Sequence, residues 1–413
     1  MRIAIIGSGI SGLVTAYHLS KNHDTTVFES NKYIGGHTHT HQITLGSGTY
    51  AVDSGFIVFN DWTYPNFIHL LNQLGVEHQP SSMSFSVKCE RTGLEYNGTS
   101  LNSLFAQRRN LFNPSFLRMI VDIMRFNKQA PALIESGNDQ TTLGEYLSEN
   151  RYSRSFIENY ILPMGSAIWS TDPEQMLGFP ASFFVRFFHN HGMLNIDNRP
   201  VWRVIKGGSH SYVKALTRQF SDHILLETPI QQVTRLPTSV QVKTINGDTD
   251  NFDAVIFACH SDQALKILTD PSPTETEILG AIPYQENEAI LHTDSKVLPK
   301  KQLAWAAWNY HIPKEKRYKV ALTYNMNILQ NLDAHETICV SLNYDNSIDP
   351  NQIIKRIMYH HPLYTPAGIA AQKRHKEISG INNTYYCGAY WGFGFHEDGV
   401  NSALRVVSQI EGE

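Results

Sequence analysis

The chain has 413 residues, enough to bury a large core and to divide into two domains. Its net charge of −4 gives no general attraction to nucleic acid. Four scattered cysteines (Cys89, Cys259, Cys339 and Cys387), with no Cys-x-x-Cys pair, argue against a disulfide framework or zinc ribbon and suit a reducing cytoplasm.

The N-terminus runs straight into an Ile-rich strand, Arg2 to Ile6, with no signal-peptide pattern, and no apolar run is long enough to span a bilayer. Gly7-Ser8-Gly9-Ile10-Ser11-Gly12 follows, then a helix from Leu13 to Asn22. Strand, glycine turn and helix in that order form a dinucleotide fingerprint. Gly7 permits the tight turn, Gly9 lets backbone approach a pyrophosphate, and Gly12 lets helix pack on strand. Around Ser11 the helix N-terminus offers free N–H groups and a positive dipole end to phosphate. A second strand, Thr25 to Phe28, delivers Glu29 about 20 residues on, where an acid is expected to grip a ribose 2′-OH.

Gly35-Gly36-His37 comes next, bare backbone suited to a second pass along a diphosphate. His37, His39 and His41 alternate along a strand, but no acid or thiol accompanies them at ligand spacing, so no metal is expected. Gly46-Ser47-Gly48 fits a loose dinucleotide pattern but lies between two strand-like runs and reads as a hairpin turn, leaving no separate NAD(P)H domain. Asp53-Ser54-Gly55-Phe56 ends the second of those strands.

Helices are expected at Tyr64–Leu74, Ser103–Phe112, Ser115–Gln129 and Thr142–Glu149. Arg108, Arg109, Arg118, Arg125 and Lys128 lie among apolar residues of this segment, as either a solvated face or a lipid-binding one. A helix at Tyr212–Phe220 and strands at His223–Glu227, Ile230–Leu236, Val240–Lys243 and Ala254–Ala258 follow. Strands near Glu288–Leu291, Gln302–Tyr310 and Thr337–Asn343 come next, then a helix near Pro350–Tyr359. Close to the C-terminus a strand leads through Cys387-Gly388-Ala389-Tyr390-Trp391-Gly392-Phe393-Gly394 into a last helix from about Gly399. His396-Glu397 matches the start of a zinc-protease motif, but Val400 stands where its second His belongs.

The N-terminal fingerprint, the Gly35-Gly36 pair, Asp53 to Phe56 and the late glycine-rich loop together resemble the FAD-dependent amine oxidase and phytoene desaturase superfamily. An NAD-binding domain is the plainer alternative. The runs Val52–Asn60, Trp305–Tyr310, His361–Pro366 and Cys387–Val400 resemble, more narrowly, a bacterial branch of predicted NAD/FAD-binding oxidoreductases associated with methyltransferases similar to cyclopropane-fatty-acid synthases. The resemblance implies an α/β fold: a discontinuous Rossmann-like FAD-binding domain (1–85, 195–275 and 380–413) with an inserted mixed α+β substrate domain (86–194 and 276–379). It implies non-covalent FAD held by Gly7, Gly9, Ser11, Gly12, Glu29, Gly35, Gly36, His37, Gly55, Phe56, Val233 (beside the adenine), Gly388, Asp398, Gly399 and Val400. Cys387 could tether the flavin covalently, although a buried free thiol is the commoner case.

Tyr390, Trp391 and His37 are the candidates to face flavin and substrate; no acid or base stands out. The resemblance implies dehydrogenation of a methylated fatty acyl chain of membrane phospholipid, a lipid or other small molecule as partner, and contact with the inner membrane surface and a lipid methyltransferase. The alternatives are a flavin amine oxidase, an NAD(P)H-driven reductase of an unsaturated acyl chain, and a flavin-binding chaperone or sensor without turnover.

Overall fold

The computed structural model describes residues 1–136, 140–315, 319–344 and 347–412. Its organising element is a five-stranded parallel sheet in the order Ile224–Leu225, β2 (Asp24–Phe28), β1 (Arg2–Ile6), Ala254–Phe257, Thr384–Tyr386. Ile3, Ile5 and Ala254 to Phe257 have no exposed surface, as befits central parallel strands covered on both faces. Helix α1 (Ile10–Leu19) and the last helix, His396–Glu411, pack together on one face. A three-stranded antiparallel sheet (Ile230–Arg235, Val240–Thr244, Thr249–Phe252) helps to cover the other. Neighbouring strands of the central sheet thus come from segments some 250 residues apart (β1 and Ala254–Phe257) and some 130 apart (Ala254–Phe257 and Thr384–Tyr386), with Ile3 opposite both Thr25 and Ala254.

A second, mixed sheet of seven strands runs Ile353–Pro362, Tyr284–His292, Cys339–Leu342, Ala321–Asn325, Trp308–Ile312, Phe85–Cys89, Leu94–Asn97. Against it lies the helical segment, including α2 (Pro114–Gln129), α3 (Leu162–Trp169) and α4 (Ala181–Asn190). Among the described residues no helix is long and apolar enough to cross a membrane.

Several elements differ from their sequence expectation. Pro350–Tyr359 is not a helix: a short turn at Pro350–Gln352 leads into the strand Ile353–Pro362, which pairs antiparallel with the nine-residue strand Tyr284–His292. Ile353, Ile354, Ile357 and Met358 suit helical spacing, but Ile357, Tyr359 and His361 also alternate, and the long partner strand decides. The expected helix Ser103–Phe112 stops at Leu104 and resumes as a tight turn at Arg108–Phe112. The expected strand Gln302–Tyr310 begins as a turn and forms only at Trp308–Ile312. The expected strand His223–Glu227 shrinks to Ile224–Leu225 because Glu227 is left-handed, with φ 49°.

Candidate functional site

The glycine turn after β1 is shaped by two steric limits and one open position. Gly7 has φ +109°, and a side chain there would sit 2.8 Å from the Ala258 carbonyl oxygen. A Cβ on Gly12 would lie 2.0 Å from the Gly7 oxygen, so nothing larger than glycine lets α1 start this close to β1. A Cβ on Gly9 would meet no atom within 4 Å. Gly9 is the N-cap of α1 and has no side chain to satisfy the first N–H groups, which leaves them for an anion.

Glu29, nearly buried, lies under this turn. One carboxylate oxygen accepts from the Ser8 N–H (3.0 Å) and hydroxyl (2.6 Å), the other from the Asn31 N–H and side-chain amide (2.8 Å each). A ribose hydroxyl bound there would replace one of these donors. The Gly35 N–H donates to the Ser8 hydroxyl (3.2 Å), and Gly36 (φ +58°) brings its face to the Gly9 Cα. The two glycine segments therefore meet, as two passes along one diphosphate require.

His37 follows directly. It is half-buried among His260, Tyr359 and His361, with ring centroids 5.0–6.2 Å away, and its buried Nε2 has no hydrogen-bond partner. Burial pushes its pKa down to about 4, so the ring is neutral. Its carbonyl accepts from the Phe56 N–H (2.8 Å), and a Cβ on Gly55 would collide with that carbonyl at 2.2 Å. His39 stacks on Tyr33, and Lys355 places its ammonium 3.1 Å from the His41 Nδ1. Among the described residues no group of three or more His, Cys, Asp or Glu is arranged to hold a metal ion.

The C-terminal loop closes the same region. The Ser11 hydroxyl donates to the Gly399 carbonyl (2.9 Å), and a Cβ on Gly399 would press on Ile10 at 2.6 Å. The starts of α1 and of the last helix therefore touch, and their positive dipole ends converge. Asp398, in the first turn of the last helix, accepts from the Phe395 N–H (3.0 Å); burial pushes its pKa up to about 6. Val400 is buried with Ile10, Leu13 and Val14. Gly388 donates its N–H to the Ser402 hydroxyl (3.1 Å). Cys387 is buried 3.9 Å from the Thr15 hydroxyl, its thiol pushed up to about 12 by burial, which disfavours the thiolate. Val233 is fully buried near Phe28, in the ladder opposite Val242.

Tyr390 and Trp391 are buried on the parallel-sheet face that carries Ala4, Phe28 and Phe257, with Trp391 against His375. Within this loop it is Phe393 and Phe395 that meet the helical segment. Phe183 lies 4.7 Å from Phe393, Phe187 lies 5.1 Å from Phe395, and the Trp169 indole donates to the Phe393 carbonyl (3.3 Å). Tyr364 stacks on Phe183, and its hydroxyl is buried without a partner. A cavity of about 460 Å³ opens beside them, lined by Trp62, Tyr64, His191, Phe395, Glu397 and Asp398 among others.

Sequence reasoning missed His396. Its ring stacks on Phe56 (3.4 Å), and its Nε2 lies 3.0 Å from both the Thr38 and Tyr212 hydroxyls, themselves 2.6 Å apart. Burial holds its pKa well below the ordinary histidine range. The available signal was its place at the first position of the helix after the glycine-rich loop; a zinc motif drew attention instead.

The glycine cradle, the converging helix starts and the orphaned His37 nitrogen fit a bound dinucleotide. The sequence pattern describing flavin containing amine oxidoreductases matches residues 10–321. An L-amino acid dehydrogenase of Synechocystis is 22% identical over 268 residues, 61% of this chain but only 54% of its own length. The fold is shared with cyclohexylamine oxidase from Brevibacterium oxydans (TM-score 0.71, 16% identity, 99% of both chains). It is shared also with a CLA-producing fatty acid isomerase from P. acnes (TM-score 0.68, 15% identity, 98% of both chains).

Proposed function

The chain belongs to the family of flavin-containing amine oxidoreductases and uses FAD, and from that premise we propose that it dehydrogenates an apolar chain, a methylated fatty acyl group of phospholipid. Bound FAD supplies a hydride acceptor at its isoalloxazine ring. Gly7, Gly9, Gly12, Gly35 and Gly36 would hold the diphosphate, and Gly55, Phe56, Asp398 and Gly399 would line the path to the ring.

The observation that carries the reading is the aromatic wall of Trp169, Phe183, Phe187, Tyr364, Phe393 and Phe395, where helical segment and C-terminal loop meet. Such a wall excludes water and orients a C–H bond by packing rather than by charge. Forming a C=C bond requires one hydride and one proton to leave neighbouring carbons. The imidazole of His37, with its unpartnered Nε2, is our candidate to take the proton.

A second reading, oxidation of a small amine, draws on the cavity beside Phe395. Trp62 and Tyr64 supply aromatic faces there and Glu397 and Asp398 supply carboxylates, a combination suited to a cation. The two readings separate in one experiment: anaerobic titration of the flavin-loaded protein, followed at the flavin visible band. Bleaching by phospholipid with mid-chain methylated acyl groups, and not by its unmethylated counterpart or by cyclohexylamine or spermine, is the expected result. Bleaching by the amines alone replaces the acyl reading with the amine one, and bleaching by NADPH alone replaces it with a reductase.

A further inference from the structure

The segment before and along α2 presents a large apolar surface to solvent. Phe112, ending the turn Arg108–Phe112, is 87% exposed, and Leu111 beside it is 45% exposed. α2 then turns Phe116, Met119 and Phe126 inward, while Leu117, Val121 and Met124 stay exposed. At 3.6 residues per turn, Leu117, Val121, Met124 and Lys128 fall within an arc of about 60°. The stripe follows directly on Phe112, and a clustered apolar surface of this kind marks an interaction site where scattered single residues would not.

Charge says what the surface fits. Residues 101–129 carry five cations and a single carboxylate, Asp122, in a chain whose net charge is −4. Asp122 is fully buried and pairs inward with Arg118 and Arg125 (3.2 Å each). Arg108 and Arg109 instead hydrogen-bond neutral groups, the Asn102 side chain and the carbonyls of Asn102, Phe105 and Gly93. Those bonds hold the guanidiniums without cancelling their charge, on the same short turn that ends in Phe112, and Lys128 ends the stripe at the far side.

We propose that this face docks on an anionic phospholipid bilayer. Phe112, Leu117, Val121 and Met124 enter the boundary between headgroups and acyl chains, and Arg108, Arg109 and Lys128 lie at the phosphates. The proposal stands apart from the acyl-chain reading, since a protein of either substrate class could carry such a surface.

The test is co-sedimentation of flavin-loaded protein with vesicles of phosphatidylcholine alone or mixed with phosphatidylglycerol. Binding to the mixed vesicles, weakened by salt, is expected. The double variant R108Q/R109Q should lower the partition coefficient about fivefold per charge removed. F112S should lower it about tenfold or more, whereas I245S, at a residue 61% exposed on a different segment, should leave it unchanged. All three variants alter exposed side chains, so their melting temperatures should match the parent. Equal binding to both vesicle types, no binding to either, or an F112S variant that binds like the parent overturns the proposal. So does concentration-dependent self-association in gel filtration that F112S abolishes, which would assign the face to a second copy of the chain.

Discussion

Gly9 and Gly12 stand three residues apart in one turn, yet replacing each by alanine should impair different properties. In Gly12→Ala the new methyl carbon starts 2.0 Å from the Gly7 carbonyl oxygen, over an ångström inside any tolerable contact, and that oxygen is backbone with no rotamer to change. β1 and α1 must separate to make room. An overpacking cost of about 3 kcal/mol is expected, lowering the melting temperature of the apoprotein by roughly 3–4 °C. In Gly9→Ala the methyl meets nothing within 4 Å, and the backbone there (φ −68°, ψ 177°) suits alanine. The apoprotein should keep its stability to within about 1 kcal/mol, the ordinary difference between glycine and alanine at an N-cap. Its flavin affinity should nevertheless fall at least about tenfold, or ~1.4 kcal/mol, because the methyl projects from the surface where backbone must approach the diphosphate. Thermal melts of apoprotein and titration with FAD, followed by flavin fluorescence quenching, measure the two effects separately. A Gly9→Ala protein that binds FAD like the parent, or a Gly12→Ala protein that melts like it, would refute the assignment of this turn.

Three further outcomes are expected. His37 is neutral in the fold at about pH 4 and above but takes a proton near pH 6.5 when unfolded, so acid favours the unfolded chain. His37→Gln should remove up to about 3 kcal/mol of the stability lost between pH 6.5 and 4; buried Asp53, raised to about 6, slopes the opposite way in both proteins and cancels in the comparison. Identical pH profiles of denaturant midpoint would contradict this. Arg235→Met should cost roughly 3–5 kcal/mol, because it strands the Glu275 carboxylate, 3% exposed and 2.8 Å from the guanidinium; a denaturation midpoint unchanged from the parent would show that Glu275 is not held as an ion. Cys387→Ser should leave flavin fully releasable by acid precipitation, as in the parent, and the parent thiol should resist alkylation at neutral pH until the protein is unfolded.

The parts of this protein readable from its sequence are those fixed by neighbours in the chain. The turn Gly7 to Gly12, the acid Glu29 after the second strand, the Gly35-Gly36 pair and the hairpin at Gly46-Ser47 each follow from short-range sterics or strand alternation, and each lies where the sequence places it. Tertiary structure decided whatever depends on a distant partner. Ile353–Pro362 carries patterns compatible with helix and with strand, and only Tyr284–His292 alongside makes it a strand. Tyr390 and Trp391 share a loop with Phe393 and Phe395, but the packing of α4 determines which pair meets the helical segment. His396 gains its buried setting only when Phe56, Thr38 and Tyr212, from three separate segments, close around it. Periodicity records that a side chain will be buried; which surface buries it is settled by long-range packing, which no local window contains.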